Sequence, residues 1–314
     1  MCVISIICLS SLNLEKYDEW KDDKVMINDV MRFLDNVLTD FIERAPEQFD
    51  DAKYSAEKER SVGLGVMGFH SYLQQHSIPL ESVMSKAWNK KIFKHIQENV
   101  DQASKDLADE RGPCPDAADY GYNERFSNKT AIAPTASISI ICGGASPGVE
   151  PVAANSYTHK TLSGSFNVRN RYLVELLEKH GKNTDDVWSG ITTNQGSVSH
   201  LDFLTDLEKD VFKTAFELDQ KWIIELSGDR TPYISQAQSI NLFVPADIHK
   251  RELHKIHFDA WKKGLKSLYY CRSKSIQRAE NVNDTKATDV NANVYKSKPQ
   301  TTEQPEYEEC LSCQ

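Results

Sequence analysis

Ser239-Ile240-Asn241-Leu242-Phe243-Val244, a helical stretch from Arg251 to Lys263, Gly264, and then Leu265-Lys266-Ser267-Leu268-Tyr269-Tyr270 make up the passage that decides the fold. The two apolar runs read as strands. The segment between them has helical periodicity, and Gly264 is placed to cap it in a left-handed conformation. A strand, a helix and a second strand of these lengths make a β-α-β unit, so the two strands run parallel and the helix covers one face of a sheet. The fold class expected is α/β.

Working outward from that unit, the same alternation recurs towards the N-terminus. Val3 to Leu9 is a short β-branched run that reads as a buried strand. It is followed by an amphipathic helix with Met26, Val30, Phe33, Leu34, Val37, Leu38 and Phe41 on one stripe. A second helix is expected from about Glu81 to Arg111, with Val83, Trp88, Ile92, Phe93, Ile96, Val100 and Leu107 facing inward and Gly112-Pro113 ending it. No repeat of fixed period and no linker divides residues 1–270, so two segments are expected: a folded body over 1–272 and a tail over 273–314. The tail is dominated by Lys, Glu, Asp, Asn, Thr and Gln and reads as disordered. As a flexible coil it would reach roughly 35 Å, against a radius of gyration of roughly 20 Å for a compact chain of this length.

Composition narrows the function classes. With 314 residues and 39% hydrophobic content the chain can build a large core. Its 37 basic and 46 acidic side chains give a net charge of −9, which disfavours nucleic acid as a bulk partner. No apolar run is long enough to span a bilayer, and the apolar start lacks the basic region and cleavage site of a secretory signal. Seven cysteines at scattered spacing fit a reducing cytoplasmic location better than a disulfide framework.

Several features can carry chemistry. Cys310-Leu311-Ser312-Cys313 puts a dithiol at the tip of the tail, where it can exchange two electrons with an internal disulfide and with an external reductant. Half a zinc site is the competing reading, but nothing nearby supplies two further ligands. Ala133-Pro134-Thr135-Ala136-Ser137-Ile138-Ser139 turns a strand end into a helix N-terminus with free N–H groups, which suits a phosphate; on spacing alone an ordinary Ser/Thr N-cap is the more economical account. Tyr269 and Tyr270, as strand neighbours, would face opposite sides, unless the strand loses regularity there and the rings meet. Cys8, on the first apolar run, reads by itself as core filler. Gly63-Leu64-Gly65-Val66-Met67-Gly68 formally matches a dinucleotide fingerprint but follows the charged run Glu57-Lys58-Glu59-Arg60, so close helix packing is expected of it instead. His254 and His257 sit three apart on a helix without a converging acid, so no metal site is expected there.

Taken together and in order, these motifs resemble the large (catalytic) subunit of class I ribonucleotide reductase. The resemblance runs from Cys8-Leu9-Ser10-Ser11-Leu12-Asn13-Leu14 through Arg60-Ser61-Val62-Gly63-Leu64-Gly65-Val66-Met67-Gly68, Ala133 to Ser139 and Gly148-Val149-Glu150-Pro151 to Leu268-Tyr269-Tyr270 and the Cys310/Cys313 tail. It implies the C-terminal half of a ten-stranded α/β barrel with a disordered tail. It implies reduction of ribonucleoside diphosphates by radical chemistry, with Cys8 as one of two active-site thiols. Thr135, Ala136, Ser137 and Ile138 would hold the substrate diphosphate, largely through backbone N–H groups. Tyr269 and Tyr270 would relay a radical from a metal-containing small subunit, and Cys310 and Cys313 would re-reduce the site and be recharged by thioredoxin or glutaredoxin. No cofactor is implied on this chain itself. The family's regulatory domain, first half-barrel, finger loop and thiyl-radical cysteine have no counterpart in these residues, so the expectation is a split or truncated subunit completed by a separate N-terminal half. A catalytically inert remnant, or an accessory protein binding the small subunit or thioredoxin, is the alternative.

Overall fold

A computed structural model describes residues 6–161 and 164–274. The start of the expected first strand and most of the expected tail, including Cys310 and Cys313, lie outside the described residues. Strand β1 (Cys8–Asn13) pairs in parallel with β2 (Val62–Met67), in register from Cys8↔Val62 to Asn13↔Met67. The far edge of β2 meets the 128–131 segment through a parallel bridge, Leu64↔Thr130, supported by Leu64 N–H donating to Lys129 O at 2.9 Å. Ile132 in turn bridges Gln238 in parallel, and Ser239 N–H returns to Ile132 O at 2.9 Å.

The chain then leaves this arc for an antiparallel hairpin, β3 (Ser156–Thr161) with β4 (Gly164–Arg169), for which the sequence reading had no expectation. Around it the helices Arg171–Lys179 and Asp185–Thr193 bury a separate cluster that includes Leu173, Leu177, Trp188 and Ile191. Returning to the arc, β5 (Leu242–Pro245) pairs in parallel with β6 (Cys271–Lys274) across the Lys250–Lys262 helix. Five segments, in chain order, thus lie side by side and parallel, each crossover passing through helix, which is the α/β arrangement expected.

Three local expectations are corrected. Gly63 and Gly65 lie inside β2, whose residues are all buried, and serve strand-to-strand approach, not helix packing, whereas Gly68 follows the strand and caps the Phe69–Gln75 helix in the left-handed region at φ +80°. A Cβ on Gly65 would come within 2.2 Å of Ala131 O, and one on Gly63 within 2.5 Å of the Leu9 side chain. On the Met26–Arg44 helix the packed face is Ile27, Met31, Leu34 and Leu38, against the Val83–Arg111 helix, so Phe33 falls more than about 100° around the helix and is 64% exposed. Val83, expected inward, is also exposed because Ser82 caps the helix start, its hydroxyl accepting from Ser85 N–H.

The C-terminal strand comes later than expected, at Cys271–Lys274 instead of Leu265–Tyr270, and passes the anticipated boundary at 272. The cause is local. Tyr269 N–H reaches Ile240 O at 2.8 Å, but Tyr270 N–H is taken by the side-chain Oδ1 of Asn241 at 3.0 Å. A side chain has replaced a ladder partner, so regular pairing is delayed until Leu242 meets Cys271.

Candidate active-site wall

At one end of the arc, a cavity of about 300 Å³ is lined by Leu9, Ser10 and Ser11 of β1, by residues 133–138, and by Tyr269, Tyr270 and Arg272. Segments more than 250 residues apart in the chain therefore share one wall, and each has a local reason to be there.

The 133–138 turn follows the Ile132–Gln238 bridge and leads into a single helical turn, Ile138–Ile141. Thr135 sits in the left-handed region at φ +54°, unusual for a β-branched residue. Its hydroxyl accepts the Gly148 N–H at 2.7 Å, and its carbonyl accepts Ser139 N–H at 2.9 Å. Gly148 must itself be glycine, since φ is +49° and a Cβ would lie 3.0 Å from Ala133 O. Behind it, Ser146 and Ser71 exchange hydrogen bonds at 2.9 and 3.1 Å, tying the loop to the Phe69–Gln75 helix. With the turn so pinned, the N–H groups of Ala136, Ser137 and Ile138 have no acceptor among the described residues. Three adjacent free donors at a helix start are suited to an anion with several oxygens.

On the opposite side, the Tyr269 and Tyr270 ring centroids are 4.1 Å apart at an interplanar angle of 54°. Alternation would have sent them to opposite faces; the irregular backbone before β6 brings them together instead. Both are close to half exposed and open on the cavity. The Arg272 guanidinium lies 5.9 Å from the Tyr270 ring centroid.

Cys8 is beside this wall but not in it. It is half-buried at the start of β1 and packs against the main core, and burial pushes its thiol above the ordinary value. Cys8, Cys114, Cys142 and Cys271 are free thiols. His257 Nδ1 contacts Leu253 O at 2.8 Å and His254 stacks on Phe258, and no group of three or more His, Cys, Asp or Glu able to hold a metal occurs among the described residues. No helix among them is long and apolar enough to cross a membrane.

The sequence reading gave no role to Glu150, Asn241 or Arg272. Asn241, a lone amide in an apolar strand run, was the available signal. It is almost fully buried, and its Oδ1 accepts the Tyr270 N–H at 3.0 Å.

Comparison with known proteins agrees with this geometry. The family described as ribonucleotide reductase, barrel domain, matches residues 1–124 and 116–271. The ribonucleoside-diphosphate reductase large subunit of Invertebrate iridescent virus 6 is 51% identical over 282 residues, covering 88% of this chain and 29% of the relative. That of Invertebrate iridescent virus 3 is 44% identical over 287 residues, covering 90% of this chain and 45% of the relative. Among solved structures, the Actinobacillus ureae class Id ribonucleotide reductase alpha subunit superposes with a TM-score of 0.80 at 39% identity, over 87% of this chain and 51% of the other. The chain thus spans about half or less of the length of these relatives. A parallel arc carrying the turn and the tyrosine pair at one end, with a family match over nearly all of the described body, leaves one conclusion: the chain belongs to the ribonucleotide reductase barrel-domain family.

Proposed function

We propose that this chain supplies the phosphate-binding and radical-relay wall of a ribonucleoside-diphosphate reductase, as the C-terminal portion of its catalytic subunit. The observation that carries the reading is the convergence of the 133–138 turn, residues 9–11 and the tyrosine pair on one cavity. A diphosphate seats its oxygens on the N–H groups of Ala136, Ser137 and Ile138, which places the ribose towards β1. The family likeness supports reading Cys8 as one of the thiol pair. Loss of the ribose 2′-hydroxyl as water then takes two hydrogens from Cys8 and a second thiol, leaving a disulfide and a deoxyribonucleotide. Its raised thiol value keeps Cys8 protonated at neutral pH, the form that donates hydrogen.

The remaining parts come from outside the described residues. Cys310 and Cys313 reduce the disulfide and are themselves recharged by thioredoxin or glutaredoxin. A metal-containing small subunit supplies the radical, which Tyr269 and Tyr270 pass inward. The hydrogen-abstracting cysteine and the partner of Cys8 belong to the N-terminal portion of the subunit, here proposed as a separate half that associates with this one. Residues Ile7 and Leu9 leave apolar surface exposed at β1, whose outer edge has no strand partner among the described residues, which supports such an association.

The test is reduction of a ribonucleoside diphosphate by the chain alone and after mixing with the N-terminal portion and the small subunit. Activity confined to the full mixture is expected. A stable full mixture without activity would contradict the assignment and favour a binding role.

A further inference from the structure

The two tyrosines meet at a fault in the parallel ladder, and the residue opposite that fault has no part in the roles above. Leu242 pairs with Cys271, and its N–H donates to the O of Tyr270, the residue before that partner, at 2.9 Å. Carried back along both strands in the same register, a regular parallel ladder would bring the Tyr270 N–H to Ile240 O. Ile240 O instead accepts the N–H of Tyr269, at 2.8 Å. The C-terminal strand therefore carries one extra residue at this point. Tyr269 and Tyr270 together oppose the single residue Asn241, which is the arrangement of a β-bulge. A bulge leaves an N–H outside the ladder. Here it is the N–H of Tyr270, and Asn241 Oδ1 accepts it at 3.0 Å. Asn241 is 1% exposed, so a buried side-chain oxygen is committed to this backbone donor.

We propose that Asn241 is a positioning residue for the tyrosine pair: by accepting the Tyr270 N–H it fixes a bulge that turns both rings to one cavity and sets them against each other. The inference rests on reading the pair as the relay. Passing the radical between them oxidises one phenol as the phenoxyl of the other is reduced, one electron and one proton changing place, and such a step depends steeply on how the rings are held. Without the extra residue, alternation would send the two side chains to opposite faces of the sheet. The segments on either side are anchored independently. Regular pairing runs on from Leu242↔Cys271 to Pro245↔Lys274, and Leu268 packs against the main core. The freedom gained on losing Asn241 Oδ1 is therefore confined to the tyrosines. An apolar side chain between Ile240 and Leu242, both buried, would leave no polar group to satisfy. Keeping an amide there is explained by the bond that it makes.

The experiment compares Asn241→Leu and Asn241→Asp in the complete mixture of this chain, the N-terminal portion and the small subunit, with deuterium exchange followed at the Tyr270 and Leu64 amides. Leucine keeps the shape without an acceptor, and aspartate keeps an oxygen in the place of Oδ1. Leu64 N–H, bonded to Lys129 O at the other end of the arc, reports whether the fold is intact. With leucine, kcat should fall about tenfold or more with KM within about twofold, and Tyr270 exchange should quicken by a similar factor while Leu64 exchange stays within about threefold. With aspartate, kcat and Tyr270 exchange should return to within about threefold of the unsubstituted protein. Asn241→Ala replaces a leucine variant that does not fold, and Asn241→Ser, whose hydroxyl also accepts, replaces an aspartate variant that does not. Unchanged kcat or unchanged Tyr270 exchange on removing the acceptor, or equal impairment with and without one, would overturn the proposal. If the unsubstituted mixture reduces no nucleotide, the relay reading falls, and the exchange measurement alone decides whether Asn241 positions Tyr270.

Discussion

Asp35 and Glu150 are both carboxylates removed from water with arginine close by, yet their surroundings act on them in opposite directions. Asp35, on the helical back of the molecule, accepts from Arg60 Nε at 2.8 Å, Arg111 Nη1 at 2.7 Å and Arg125 Nε at 2.9 Å. Burial alone would raise its pKa, but the bond from Arg125 and the charges and bonds of Arg60 and Arg111 outweigh it and hold the carboxyl below its ordinary value. Glu150, behind the cavity, has one amide and a guanidinium that forms no ion pair with it, and burial pushes it up to about 7. The back of the molecule spends its buried charge on cohesion, whereas the wall keeps polar atoms unpartnered: Glu150 Oε1, Arg272 Nε and three backbone N–H groups. That contrast separates a scaffold from a surface that makes its bonds to something else or holds its parts in readiness.

The largest effect should come from breaking the scaffold. Asp35→Ala leaves Arg60 and Arg125 without a carboxylate partner and Arg111 with Glu110 alone, at 3.4 Å. Loss of about 3–5 kcal/mol is expected, since removing one partner strands buried charge. Urea unfolding measures it, and a loss below about 1 kcal/mol would mean that the three guanidiniums are solvated well enough without Asp35.

Glu150 should give an effect of the opposite sense. Its folded value of about 7 stands above the ordinary 4.5, so the native chain retains a proton that the unfolded chain releases over that interval. Stability attributable to this residue therefore falls as pH rises from about 4.5 to about 7, by about 3 kcal/mol. Glu150→Gln should flatten that fall and leave the protein more stable than the parent at pH 8. Parallel stability profiles for the two proteins would show that Glu150 titrates normally. The Asp35 contribution has the reverse sign: it is present above the ordinary value of 3.8 and is lost as pH drops through the depressed one.

The smallest effect should be at the turn. Thr135→Ala removes the acceptor of the Gly148 N–H, which should cost about 1 kcal/mol and raise KM for a ribonucleoside diphosphate severalfold while kcat changes little. Thr135→Ser restores the hydroxyl and should recover most of both. Equal defects in the two variants would place the importance of Thr135 in its methyl group or backbone conformation.

The same contrast marks what could be read from the chain before its structure. The turn and the tyrosines were legible because each is local: Pro134 with small and hydroxyl residues fixes a turn, and two adjacent tyrosines stand out wherever they occur. That the rings meet was not settled by local pattern, since it depends on Asn241 diverting the Tyr270 N–H. The Asp35 network was invisible because Arg60, Arg111 and Arg125 come from three separate segments, and Asp35 interrupts an otherwise apolar face. The charged run before Gly63 and Gly65 hides a strand and points to helix packing; the partner that excludes a Cβ, Ala131, is over 60 residues away. The 156–211 region went unassigned despite a usable signal. Thr205 and Glu208 form a full capping box, with Thr205 N–H and hydroxyl both donating to the Glu208 carboxylate and Glu208 N–H returning to the Thr205 hydroxyl at 3.3 Å.

On the proposed function, Tyr269 and Tyr270, with ring centroids 4.1 Å apart, pass a radical across this wall. Tyr270→Phe tests it most directly in the complete mixture, because the ring and its packing remain and only the removable phenolic proton is lost. Turnover should fall on the order of 10³-fold, a barrier increase of about 4 kcal/mol, with nucleotide affinity unchanged. Turnover at the level of the unsubstituted protein would contradict the relay and leave the wall as a binding surface alone.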